Sequence, residues 1–131
     1  MVGLLERRGI MVYLIDDDES VRRALQRLLR SAGLDVRAFA SAEEFLQSGN
    51  LSQIACIVLD IQMRGLTGFD LQEKLVSMGI RIPTIAVSAL DDARTRERAR
   101  QLGAVAFFRK PVDGQALLDA IWWAISEGRK E

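Results

Sequence analysis

Short apolar runs alternate along this chain with stretches of helical periodicity, and no other feature narrows the possible folds as far. The runs are Met11 to Ile15, Ile54 to Leu59, Thr84 to Val87 and Val105 to Phe108, and Leu34 to Ala40, with Asp35 and Arg37 inside it, reads as a further strand. Strands alternating with helices build a parallel sheet through right-handed crossovers, with helices on both faces. Asp16, Asp60 and Ser88 each follow one run directly, and Lys110 follows another with Arg109 intervening. Parallel strands end on the same edge of their sheet, and ligands of open α/β sheets sit in the crevice outside that edge. The pattern therefore predicts one pocket holding two carboxylates, a hydroxyl and an ammonium.

The helical stretches carry their own signals. Val21, Ala24, Leu25, Leu28 and Leu29 recur at helical spacing on one face of the first, Arg22, Arg23, Arg27 and Arg30 take the other, and Gly33 stops it. Ser41 with Glu44 three residues on reads as a capping box opening a short helix that ends near Gly49. After a loop from Ile61 to Thr67, a helix from about Gly68 to Met78 has Phe69, Leu71, Leu75 and Val76 as apolar members, with Gly79 closing it. Pro83 opens the fourth strand. Asp91 and Asp92 suit the positive end of a fourth helix reaching about Leu102, and a last helix spans about Asp113 to Glu127. Residues 1–9 show neither period and read as a mobile extension ahead of one domain spanning 10–128.

A chain of 131 residues, 49% of them hydrophobic, can bury the core of a single domain. Its 18 basic and 18 acidic side chains cancel, so the global charge does not favour nucleic acid or an anionic membrane. Arg94, Arg96, Arg98 and Arg100 spread around the fourth helix with Glu97 among them, which reads as a solvated face without direct nucleic-acid contact. No apolar stretch approaches the roughly 20 residues of a membrane-spanning helix. The single cysteine, Cys56, lies inside an apolar run and reads as a buried, inert thiol in a reducing compartment, so a cytoplasmic location is expected. Trp122 and Trp123 point about 100° apart on a helix, and one of them is expected to contribute to a partner surface. The chain has no histidine, so it can neither donate a phosphoryl group from imidazole nor use that base.

Its chemistry must rest on carboxylates. Two unit charges about 4 Å apart cost about 4 kcal/mol at an effective dielectric near 20. Asp16, Asp17 and Asp60 together exceed what Lys110 can neutralise, and their hard oxygens suit Mg2+. A cation, Lys110 and Ser88 would form an anion clamp for a transferring phosphoryl group, so that a carboxylate could act as nucleophile and become an aspartyl-phosphate. Asp60 is favoured as that nucleophile because it ends an interior strand, whereas Asp16 and Asp17 begin a loop and suit the role of ligands.

Asp16-Asp17, Asp60, Ser88 and Lys110-Pro111, in this order and at these strand ends, resemble the receiver domain of two-component response regulators over about Ile10 to Gly128. The resemblance implies a flavodoxin-like five-stranded parallel sheet in the order 2-1-3-4-5, with five helices. It implies Asp60 as phosphoacceptor, Asp17 as a direct Mg2+ ligand, Asp16 as a ligand acting mainly through water, and Gln62 as donor of a backbone carbonyl ligand. Ser88 and Lys110 would contact the phosphoryl group, the Lys110-Pro111 peptide would be cis, and Phe107 would be the aromatic switch. Phosphorylation would then shift a two-state equilibrium on the face built from helix 4, strand 5 and helix 5, a face also able to form a homodimer. The implied partner is a sensor histidine kinase or phosphotransfer protein docking near helix 1, and the domain would catalyse only its own phosphorylation and dephosphorylation. One departure stands out: the family usually has proline after the methionine, and here Arg64 and Gly65 follow Met63, which predicts a less rigid loop. Leu90, with no polar group to orient a water, predicts a longer-lived phosphorylated state.

Two other classes compete. Leu14-Ile15-Asp16-Asp17-Asp18-Glu19-Ser20 resembles the strand-end pattern of haloacid dehalogenase-like phosphohydrolases, with Asp16 as nucleophile. In that group the second acidic pair follows the lysine, whereas Asp91-Asp92 precede Lys110 here, and Asp60 is left without a role. The third class is a non-phosphorylated receiver-like interaction module, against which the complete acid, hydroxyl and lysine set weighs.

Overall fold

The structure is a computed structural model that describes residues 10–48, 51 and 53–129; the extension expected over residues 1–9 lies outside them. Five strands and five helices alternate: β1 Met11–Ile15, α1 Glu19–Ser31, β2 Asp35–Phe39, α2 Ala42–Gln47, β3 Ile54–Asp60, α3 Gly68–Ser77, β4 Thr84–Ser88, α4 Ala93–Gln101, β5 Ala104–Arg109 and α5 Gly114–Arg129. All the strand pairings are parallel, in the order β2-β1-β3-β4-β5. The expected flavodoxin-like topology is the observed one.

Alternation along β1 sorts the core. Val12 and Leu14 face a layer containing Leu25 and Leu29 of α1 and Leu117, Ile121 and Ile125 of α5. Tyr13 and Ile15 face the opposite layer, with Phe45 of α2 and Leu71 and Leu75 of α3. There Tyr13 and Phe39 each meet Phe45 nearly edge-on, at ring centroid separations of 5.6 and 5.7 Å. Such contacts suit the opposed charges of ring face and ring edge. A smaller patch around Ala86, Ala99 and Ala104 seats α4 on the same side as α2 and α3. The central strand β3 is apolar almost throughout because both of its faces are covered.

The helix termini follow the capping rules with some changes of residue. Asp18 accepts from the Ser20 and Val21 amides at the start of α1, and Asp92 from Thr95 at the start of α4. Ser41 accepts from the Glu44 amide as expected, but the Glu44 carboxylate reaches back to the Ala40 amide, one residue short of the cap. A complete reciprocal box forms at α3, where Thr67 and Asp70 exchange both bonds. Two apolar assignments are corrected: Ala24 on α1 and Val76 on α3 are exposed, because they lie at the margins of stripes whose centres are Leu25–Leu29 and Leu71–Leu75. Pro83 lies just before β4, and its carbonyl accepts from the Ile57 amide.

Cys56 is fully buried, and burial pushes its thiol up to about 12. Of the two neighbouring tryptophans, Trp122 packs partly against the α1/α5 layer while Trp123 is 53% exposed. No helix among the described residues is long and apolar enough to cross a membrane.

Candidate functional site

The carboxyl edge of the sheet assembles the acids because its strands are in register. Asp60, the last residue of β3, pairs with Val87, and Ser88 pairs with Arg109. The Lys110 amide donates to the Ser88 carbonyl, and the Ile61 amide to that of Val87. On the other side of β3, β1 ends at Ile15 opposite Leu59, which brings Asp16 and Asp17 beside Asp60. One carboxylate oxygen from each of Asp16, Asp17 and Asp60 lies within 4.8 Å of the others.

Lys110 links two of them. Its Nζ lies 2.9 Å from Asp16 Oδ2 and 3.2 Å from Asp60 Oδ2. Its peptide bond to Pro111 is cis. Main-chain amides occupy the remaining oxygens of those two acids: the Asp18 N–H donates to Asp16 Oδ1 and the Gln62 N–H to Asp60 Oδ1. The exposed acid, Asp17, accepts the Arg64 N–H on Oδ2 at 3.0 Å.

Charge in this pocket is incompletely balanced. Burial and then repulsion from Asp16 push the Asp60 carboxyl up to about 7, against the opposing pull of Lys110 and the Gln62 amide. Burial works against the Lys110 ammonium too, but the hydrogen bond to Asp16 and the charges of Asp60 and Asp16 outweigh it and hold its pKa above the ordinary value. An all-oxygen donor set this close, with an acid that resists ionising beside its neighbour, fits a hard divalent cation, and Mg2+ is the common partner of one or two carboxylates with phosphate oxygens.

The remaining candidates surround the acids. Ser88 is fully buried, and its hydroxyl oxygen accepts the Leu90 amide at 3.0 Å. Leu90 itself is 50% exposed. Phe107 lies on β5 under α4, where the Arg96 guanidinium sits 5.0 Å from its ring centroid and also pairs with Asp91 of the β4–α4 loop. The arginines of α4 are exposed; Arg98 pairs with Glu73 of α3 and Arg100 with Glu97.

Several contributors had no signal in the sequence. Arg22, expected on the solvated face of α1, donates to the Asp16 carbonyl at 2.8 Å. The Arg64 amide acts through the main chain, to which residue type is nearly blind. Gly68 returns the loop so closely onto Asp60 that a Cβ would lie 2.5 Å from its carbonyl oxygen.

Comparison with known proteins agrees with this architecture. The family model described as the response regulator receiver domain matches residues 12–122. Among curated proteins, Nodulation protein W of Bradyrhizobium diazoefficiens is 43% identical over 120 residues, which are 92% of this chain and 53% of that protein. Response regulator protein TodT of Pseudomonas putida is 41% identical, over 87% of this chain and 50% of its own. The chain thus spans about half the length of the curated relatives it matches. Among solved structures, response regulator StyR superposes with a TM-score of 0.84 at 41% identity, covering 92% of this chain and 62% of that one. A receiver protein from Burkholderia phymatum gives 0.78 at 38% identity, covering 89% and 95%.

Proposed function

The chain belongs to the response regulator receiver domain family, and from that membership we propose that Asp60 is its phosphoacceptor in two-component signalling. The observation that carries this reading is Lys110 Nζ lying against both Asp16 and Asp60, with Asp17 completing the acidic group at the sheet edge. A carboxylate oxygen of Asp60 attacks phosphorus, an O–P bond forms, and the bond from phosphorus to the donor breaks, leaving with the donor its electron pair. Lys110 offers fixed positive charge to the phosphoryl oxygens, and Ser88 offers its hydroxyl hydrogen while its oxygen stays on the Leu90 amide. Asp17 and Asp60, with Asp16 mainly through water and the Gln62 carbonyl, would hold Mg2+. When bound, that cation supplies charge neutralisation for the acids and for the transferred oxygens.

The donor in this reading is a sensor histidine kinase or phosphotransfer protein, and the domain catalyses only its own phosphorylation and dephosphorylation. Output runs through Phe107 and the face built from α4, β5 and α5, which controls an output domain, a partner or a homodimer. Leu90 gives no polar group to a hydrolytic water, so the phosphorylated state is long-lived; rapid loss of phosphate from purified protein would reject that point.

Taking Asp16 as the nucleophile would leave Asp60, the buried acid that shares Lys110 with it at the end of the central strand β3, without a role. Incubation with acetyl phosphate and Mg2+ separates the readings: Asp60→Asn abolishes labelling under the receiver reading, whereas a dehalogenase-like reaction would be lost most strongly in Asp16→Asn and survive in Asp60→Asn. A wild-type chain that takes up no phosphoryl group under these conditions would instead favour the interaction-module reading.

A further inference from the structure

The three acids of the pocket are not held alike. Buried Asp16 and Asp60 share Lys110, and each also accepts an amide two residues further along the chain, from Asp18 and Gln62. Exposed Asp17 is held from across the fold, by the Arg64 N–H, over a separation of 47 residues. The Arg64 side chain is exposed, so this contact belongs to the backbone. The next residue constrains the loop as well: Gly65 adopts φ +73°, a conformation that favours glycine.

We propose that the Arg64 main-chain N–H is a positioning group for Asp17, fixing its carboxylate for a hard divalent cation and tying the β3–α3 loop to the acidic pocket. The inference rests on the reading of Asp17 as a cation ligand. An exposed aspartate samples several rotamers, and ordering it on binding costs free energy. A hydrogen bond to Oδ2 supplies that order beforehand and leaves Oδ1 and its lone pairs for the cation. The bond is possible because residue 64 is not proline, which has no N–H to give. The departure seen in the sequence therefore does the opposite of loosening the loop: it gives the loop an anchor on the acid.

Isothermal titration with Mg2+ tests this on the wild type, Arg64→Pro and Arg64→Ala. Arg64→Pro deletes the donor and is expected to weaken Mg2+ binding about tenfold, the low end of what such supporting contacts contribute. Arg64→Ala keeps the donor while removing the charge, and binds Mg2+ as the wild type does. Wild-type affinity in Arg64→Pro, or an equal loss in both variants, would overturn the proposal while leaving Asp17 as a ligand. A wild type that binds no Mg2+ would overturn the ligand reading and this inference with it. Should Arg64→Pro fail to fold, amide hydrogen exchange in cation-free protein decides. The Arg64 amide is expected to exchange about tenfold faster in Asp17→Ala than in the wild type, as loss of a charge-assisted bond implies, and equal rates refute the bond's role.

Discussion

Gly68→Ala sets two effects of known size against each other. At the first residue of α3, alanine should help, since glycine costs about 1 kcal/mol relative to alanine in a helix interior and less near an end. Against this, the added Cβ would lie 2.5 Å from the Asp60 carbonyl oxygen and 2.6 Å from Ile61 Cα. Carbon atoms in contact sit about 3.5–4.0 Å apart, so the overlap approaches 1 Å, and no rotamer change relieves it because the obstacles are main chain. The Gly68 amide also donates to the Ile61 carbonyl at 2.9 Å, so the helix start cannot retreat without losing that bond. Overpacking costs about 1–3 kcal/mol, and the upper part of that range applies to a site walled by backbone. The net expectation is a loss of about 2 kcal/mol, or a urea midpoint lower by about 1 M for an m-value near 2 kcal/mol/M. Urea unfolding followed by tryptophan fluorescence measures it. Gly114→Ala is the control: the atoms nearest its Cβ would be those of the Leu28 side chain, at 3.1 Å, which can move aside, and a change within about 0.5 kcal/mol is expected. Equal or greater stability of Gly68→Ala would refute the claim that the loop closes tightly on the end of β3.

Other expectations concern the acids, the caps and the thiol. Because Asp60 is raised to about 7, the folded chain retains a proton that the unfolded chain releases above the ordinary carboxylate range, so cation-free stability falls as pH rises toward and through 7. Asp60→Asn should flatten that decline in urea midpoints taken from pH 5 to pH 8, and an unchanged slope would contradict it. Thr67→Ala removes half of the α3 capping box and should cost about 1 kcal/mol in the same assay. Cys56, buried with its thiol pushed up to about 12, should resist maleimide in the native state and react on unfolding; fast native labelling would be the contrary result.

Much of this molecule was legible in its amino-acid order, for physical reasons that differ by feature. Buried parallel strands must be apolar along their length, so β1, β3 and β4 announce themselves, and the polar residues that end them mark the sheet edge. That is why Asp16, Asp60, Ser88 and Lys110 could be brought to one place before any coordinates. Periodicity fixed the centres of helix stripes well and their margins poorly, as exposed Ala24 and Val76 show. The α3 capping box carries no clear sequence signal because Asp70 stands where the usual pattern has Glu or Gln. The supporting bonds to Asp16 and Asp17 from Arg22 and Arg64 could not be read, since one is a long side chain reaching a carbonyl and the other is a backbone amide.

The most direct test of the central claim is phosphosite mapping of the wild-type chain after brief exposure to acetyl phosphate, with Mg2+ and again with a chelator in its place. A single hydroxylamine-labile phosphoryl group, lost in both strong acid and base as an acyl phosphate is, on the peptide carrying Asp60, present with Mg2+ and nearly absent with chelator, is the outcome this account predicts. A phosphoryl group mapped to Asp16 or to a hydroxyl residue, or uptake on Asp60 that is indifferent to the cation, would contradict it.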